Sequence, residues 1–144
     1  MADYTITAAN VKISGSNVRT STIQVGEAVT EGQALYLDST TSKYMLADAT
    51  TVAKANVAGI SLTSADADGY ALMQTSRTYF AGTTLVKGDP VFLSATSGGG
   101  DLCPHADLSS SNVVTLIGFA SSTSEIELAL TLLLQSSSKR LRHV

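Results

Sequence analysis

Along most of this chain hydrophobic residues recur at every second position, in short runs broken by glycine, serine, aspartate or asparagine. In the run EIELALTLLL that begins at Glu125, residues Ile126, Leu128, Leu130 and Leu132 fall on one face of an extended strand, with Glu125, Glu127, Ala129 and Thr131 on the other. A helix would also gather Ile126, Ala129, Leu130 and Leu133 on one side. The strict alternation and the Thr and Ser flanks favour a half-buried strand. Further strands are expected at 33–38, 44–47, 57–62, 70–75, 90–94 and 113–120, each bounded by turn-forming residues. One short helix is expected at 49–56, with Asp48 as its N-cap and Gly59 just past its end.

The pattern is written twice. EGQALYLDSTTSKYMLAD at 31–48 is nearly restated by KGDPVFLSATSGGGDLCPHAD at 87–107, and Gly26, Val29, Gly32, Leu35, Tyr36 and Leu37 recur at a constant spacing of 56 as Gly82, Leu85, Gly88, Val91, Phe92 and Leu93. Farther on, AGISLTSADADGYALMQTS is echoed by IGFASSTSEIELALTLLLQSS, the spacing drifting to 59 and then about 61 as loops lengthen. Gly26, Gly32, Gly82 and Gly88 mark turns that need positive φ or close approach. Each half then reads as a meander of about four short strands with too little apolar surface to fold alone. The expected fold is mainly β: a small β-barrel or β-sandwich built from two repeated halves, about 26–76 and 82–137, with pseudo-twofold symmetry and at most one or two short helices. An extended N-terminal arm (1–20) precedes the single β domain (21–138), and a basic tail (139–144) follows it.

Composition narrows the partners. Only 15% of the residues are charged, so the surface is made largely of Ser, Thr, Ala and Gly, which suits close packing against other subunits better than life as a free monomer. Between residues 20 and 138, Lys43, Lys54, Arg77 and Lys87 face eleven acids, a net of −7 that argues against a nucleic-acid partner. No apolar run is long enough to cross a bilayer as a helix, so no membrane is expected, and a single cysteine, Cys103, excludes an internal disulfide framework. With no signal peptide at the start, synthesis in a cytoplasm is expected.

Candidate chemistry is sparse. CPH at 103–105 sets a thiol near an imidazole, but a nucleophile needs an oriented base and a third group, and only His105 and His143 are available. SADADGY looks like a calcium loop, yet Thr75 stands where a bidentate Glu belongs and Ser64 where the first ligand should be, so an Asp-Gly turn is the better reading. SSSK at 136–139 lacks a helix to align Ser with Lys, and SGGG at 97–100 is followed by no Lys-Ser or Lys-Thr, so neither is an acyl-enzyme motif or a phosphate loop. No catalytic, cofactor-binding or metal-binding set is expected, and the chain reads as a non-enzyme.

The ends carry MADYTITAANVK and SSSKRLRHV. The first of these, with GQALYLDSTTSKYMLADA, AGISL and KGDPVFLSAT, resembles the small head decoration, or cement, proteins of tailed bacteriophages, over most of the chain, about residues 1–135. The resemblance implies a compact β-rich protein on the outer surface of the virion capsid, made in the host cytoplasm. It would bind the expanded head as a homotrimer and bridge major capsid protein subunits. It also implies an arm lying on the shell through Tyr4, Ile6, Val11 and Lys12, so that deleting residues 1–12 would abolish shell binding and leave a folded body. The basic Lys139, Arg140 and Arg142 match no family motif and are possible capsid contacts. Two alternatives stay open. One is a biotinyl- or lipoyl-like carrier barrel, for which no lysine has the usual hairpin-tip setting. The other is a glycan- or receptor-binding virion module, against which the 6% aromatic content counts.

Overall fold

The structure, a computed structural model, describes residues 3–96, 98–105, 108 and 112–135. The tail residues Lys139, Arg140 and Arg142 and the SSSK segment lie outside the described residues. The fold is mainly β, in two antiparallel sheets. Its strands are β1 (Lys12–Ile13), β2 (Thr20–Gln24), β3 (Ala34–Asp38), β4 (Lys43–Leu46), β5 (Val57–Ser61), β6 (Tyr70–Gln74), β7 (Arg77–Phe80), β8 (Pro90–Leu93), β9 (Leu102–Cys103), β10 (Val113–Ala120) and β11 (Glu125–Gln135). Every strand expected from alternation is present within a residue or so at its ends. On β11, Ile126 and Leu128 are buried while Glu127, Ala129 and Thr131 face solvent, as the period of two requires.

Four strands escaped the pattern. Strands β1 and β9 have only two residues each, and β2 (TSTIQ) is polar except for one inward residue, Ile23. Strand β7 starts at Arg77, whose φ of 69° is unusual for a non-glycine residue. The expected helix at 49–56 is a single turn, α1 (Val52–Ala55), and its cap is Thr51, whose side chain accepts from the Lys54 amide at 3.3 Å. Asp48 is not the cap. Its carboxylate accepts instead from the amides of Thr50 (3.0 Å) and Gly98 (2.8 Å) and from the Thr50 hydroxyl, tying the helical turn to the far hairpin.

The duplication is visible in the topology. The five-stranded sheet runs β2-β6-β5-β3-β4, and the six-stranded sheet runs β1-β7-β11-β10-β8-β9. Matched by the sequence offset, β2, β3, β4, β5 and β6 correspond to β7, β8, β9, β10 and β11, so both halves have one strand order, with β1 added at the outer edge of the second. Register agrees as well: Leu35 opposes Gly59 as Val91 opposes Gly118, next to an irregularity in each ladder. Each half therefore has five strands rather than four, because β2 and β7 begin the repeats.

Neither sheet closes into a barrel. The nearest approach is one bridge, Val25 with Tyr44, between the two edges of the first sheet. Nor do equivalent faces meet. Ile23, Val25, Val29 and Leu35 form the interior cluster of the first half, whereas their equivalents 56 residues on, Tyr79, Ala81, Leu85 and Val91, belong to the main core. In that core they meet Ala34, Val57, Ile60 and Leu62 from the other face of the first sheet. The halves are thus stacked front to back, and the expected pseudo-twofold packing of like faces is replaced by a tandem one. Front-to-back stacking leaves the outer face of the second half uncovered. There Phe92, Cys103 and Val114 are covered by Leu108, while His105 meets the Phe92 ring edge-on with centroids 5.3 Å apart. Leu108 and His105, which follow β9 where the repeat spacing lengthens, supply this cover.

Candidate functional site

The N-terminal segment positions the region of greatest interest. Residues 3–13 run along the body, held by Tyr4 N–H donating to Leu102 O (2.8 Å) and Thr7 N–H to Gly82 O (2.7 Å). Asp3 accepts from the hydroxyls of Ser94 and Thr96 at 2.6 Å each. A 3-10 turn at Ala8–Asn10 then leads into β1, which pairs with β7. The repeat explains why the segment lies here. In the first half, Gly26 N–H donates to Tyr44 O (2.9 Å), joining the chain after β2 to β4. In the second half the equivalent glycine, Gly82, and the equivalent strand, β9, are instead bonded to Thr7 and Tyr4. The N-terminal segment takes the place that the first half fills with its own backbone.

The four arm residues named from the sequence divide accordingly. Val11 is buried, with only 7% of its surface exposed, and Tyr4 and Ile6 are half-buried against the main core; Lys12 is exposed. Burial raises the Tyr4 phenol pKa, with the charges of Asp89 and Cys103 adding to it. The segment is part of the fold rather than a separate arm, and its removal would strip a core residue from the body.

The glycines explain how it fits. Gly32 and Gly82 both have left-handed φ, 91° and 72°, and a Cβ on either would strike Ile6 and Val11, at 2.8 Å and 3.1 Å for Gly32 and at 3.3 Å and 3.1 Å for Gly82. The two turns, one from each half, form the seat of the segment. Gly88 is also left-handed, with open space around it, while Gly26 is not and faces the Met45 sulfur.

Beside the segment runs a groove of about 620 Å³. Thr5, Thr7, Asn10 and Lys12 form one wall, Thr83 and Thr84 the other, and the Phe80 ring and Ser124 complete it. Among the described residues lining it, Lys12 alone is charged, and its Nζ sits 5.4 Å from the Phe80 ring centre. A second pocket, on the other side of the segment, holds Glu31 and Asp101 near Tyr4. Burial, reinforced by the charge of Asp3, holds the Asp101 carboxyl above the usual carboxylate range.

The remaining sequence candidates are placed apart from this region or outside the described residues. Cys103 is buried in β9, and His105 packs on Phe92 as cover for the outer face. In SADADGY, Asp68 adopts φ of 69° in a turn closed by Gly69 N–H to Asp66 O (2.8 Å), and its carboxylate pairs with Lys43 Nζ at 2.6 Å. That pair also engages the lysine nearest the β3–β4 hairpin. Among the described residues, no group of three or more His, Cys, Asp and Glu gathers as metal ligands. The groove itself was not found from the sequence. Its residues are scattered over 5–12, 80–84 and 124, and only the repeat, which sets Gly82 opposite Gly26, hinted that they would meet.

Searches against family models, curated proteins and solved structures return no match to this chain.

Proposed function

We propose that this protein is a capsid decoration, or cement, protein: a β-sandwich of two tandem halves that binds the outer surface of an expanded bacteriophage head and stabilises it by bridging major capsid protein subunits. In this reading it acts as a homotrimer on the virion surface after synthesis in the host cytoplasm, and it has no catalytic role.

The observation that supports it most is the N-terminal segment, whose sequence carries part of the resemblance to decoration proteins. Its outward row, Thr5, Thr7, Ala9 and Asn10, is small, neutral and exposed, and it ends at β1, where Lys12 and Ile13 form the outer edge of the six-stranded sheet. An unpaired sheet edge can accept a strand from a neighbouring chain. A seat of this kind spreads modest contacts over many copies, and a trimer that engages several subunits at once gains avidity without a strong single contact. Stabilisation follows by linkage, because a ligand that binds only the assembled lattice favours that lattice.

The test is electron cryo-microscopy of expanded heads that lack the protein, before and after its addition. Added density at threefold and quasi-threefold positions, with the N-terminal segment against the shell, is expected. Heads without added density at saturating protein would overturn the reading.

A further inference from the structure

The groove beside the N-terminal segment has properties that shell binding does not require. Among the described residues, its polar side chains, Thr5, Thr7, Asn10, Thr83, Thr84 and Ser124, have no hydrogen-bond partner and Lys12 has no carboxylate partner. Three successive backbone amides on its wall, those of Gly82, Thr83 and Thr84, likewise donate to no acceptor among the described residues, whereas the flanking amides of Ala81 and Leu85 are bonded to Ser124 O and Thr123 O. The run starts at Gly82, whose left-handed φ of 72° turns the chain, and successive unbonded N–H groups in a turn are the donors that anion sites use.

Donors therefore collect on one wall and an ammonium stands on the other. Glu125, which opposes Phe80 in the sheet and follows the lining residue Ser124, is engaged by the hydroxyls of Ser14 and Ser122. From this juxtaposition we infer that the groove between the N-terminal segment and residues 80–84 is a binding site for an acidic saccharide.

The ligand class follows from three features. Lys12 and the free amides call for a carboxylate or sulfate. The groove's volume, about 620 Å³, is that of a small-molecule site and far exceeds a bare oxoanion. The rest of the ligand is taken to be polyhydroxylated, because the hydroxyl and amide side chains of the lining offer both donors and acceptors.

The groove shares Thr5, Thr7, Asn10 and Lys12 with the face proposed to meet the shell, so the site is open on the free protein, and its test uses no capsids. The full-length, 15N-labelled protein is titrated with a uronic-acid disaccharide, with the neutral disaccharide of the same linkage, with sodium sulfate and with an acidic peptide, while the backbone amide resonances are followed. The acidic disaccharide is expected to move the Gly82, Thr83 and Thr84 amides and to bind about tenfold more tightly than the neutral one. Lys12→Gln is expected to remove that tenfold preference, and Thr84→Val to weaken both saccharides while leaving the fold's other resonances in place.

Sulfate that moves the same amides as strongly as the acidic disaccharide would reduce the site to a simple oxoanion site and overturn the saccharide assignment. An acidic peptide that binds there more tightly than the disaccharide would overturn it in favour of a protein partner. No movement of residues 82–84 with any of the four would remove the site altogether.

Discussion

Replacing Gly82 by alanine isolates the contribution of the N-terminal segment to stability, because Gly88 provides a control with nearly the same backbone. Both glycines are left-handed, at φ of 72° and 93°, so alanine at either costs about 1–2 kcal/mol of backbone strain. Around Gly88 a Cβ meets nothing within 4 Å, and strain is the whole effect. At Gly82 the same Cβ would lie 2.5 Å from Thr7 O and 3.1 Å from Val11 Cγ2. Relief requires the segment to move away, breaking the 2.7 Å bond from Thr7 N–H to Gly82 O, a loss of about 1 kcal/mol. It also uncovers part of Ile6 and Val11, for which about 1–2 kcal/mol is reasonable when full burial of such side chains is worth about 1.5–3. Urea denaturation should therefore find Gly82→Ala about 2–3 kcal/mol less stable than Gly88→Ala. Hydrogen exchange should show faster exchange at the Tyr4 and Thr7 amides in the first variant alone. Equal losses in the two variants, with those amides still protected, would refute the seating of the segment described above.

Three further substitutions test other parts of the fold. The Tyr79 hydroxyl is fully buried without a partner among the described residues, and burial drives its pKa well above the ordinary phenol value, so Tyr79→Phe is expected to leave the melting temperature unchanged or raise it; a loss of more than about 1 kcal/mol would mean that the hydroxyl is satisfied after all. Asp48→Asn turns an acceptor of three hydrogen bonds into a partial donor and is expected to cost about 1–3 kcal/mol by chemical denaturation. For the Asp48 carboxyl, burial acts upward, but the Thr50 hydroxyl and the Gly98 and Thr50 amides outweigh it, with help from Lys54, so its pKa falls below the ordinary 3.8. Its contribution is present above 3.8 and is lost as pH falls through the lower folded value. Asp101 has the opposite sign: its raised pKa makes it favourable below 3.8 and unfavourable once pH exceeds the folded value. Asp101→Asn should therefore stabilise the protein at neutral pH, and the gain should vanish in acid; a gain that persists below 3.8 would contradict this assignment.

Much of the architecture could be read from the residues, because alternation reports which face of a strand is buried and the repeat reports which strands correspond. Ile126 and Leu128 face the core as the spacing of two demands, and the glycines at 32 and 82 do occupy left-handed turns. The packing of the halves was not legible in the same way. A repeat fixes strand order but says nothing about which face of one copy meets which face of the next, and here Leu35 and its counterpart Val91 end in different clusters. Strand β2 was hidden because an edge strand with one buried residue has almost no period to detect. Strand β7 could have been found by carrying Ile23 forward 56 residues to Tyr79. The way the N-terminal segment is held was not legible for a related reason. Tyr4, Ile6 and Val11 form an apolar series that suits a neighbour's surface or the protein's own, and only the two glycine seats decide that it is the protein's own.

Cosedimentation with tailed-bacteriophage heads that lack a decoration protein, expanded and unexpanded, at equal protein concentration, is the decisive measurement for the proposed decoration role. Saturable binding to expanded heads at a fixed ratio to major capsid protein, with little to unexpanded ones, is expected of a decoration protein. Equal binding to both, or to neither, would contradict it.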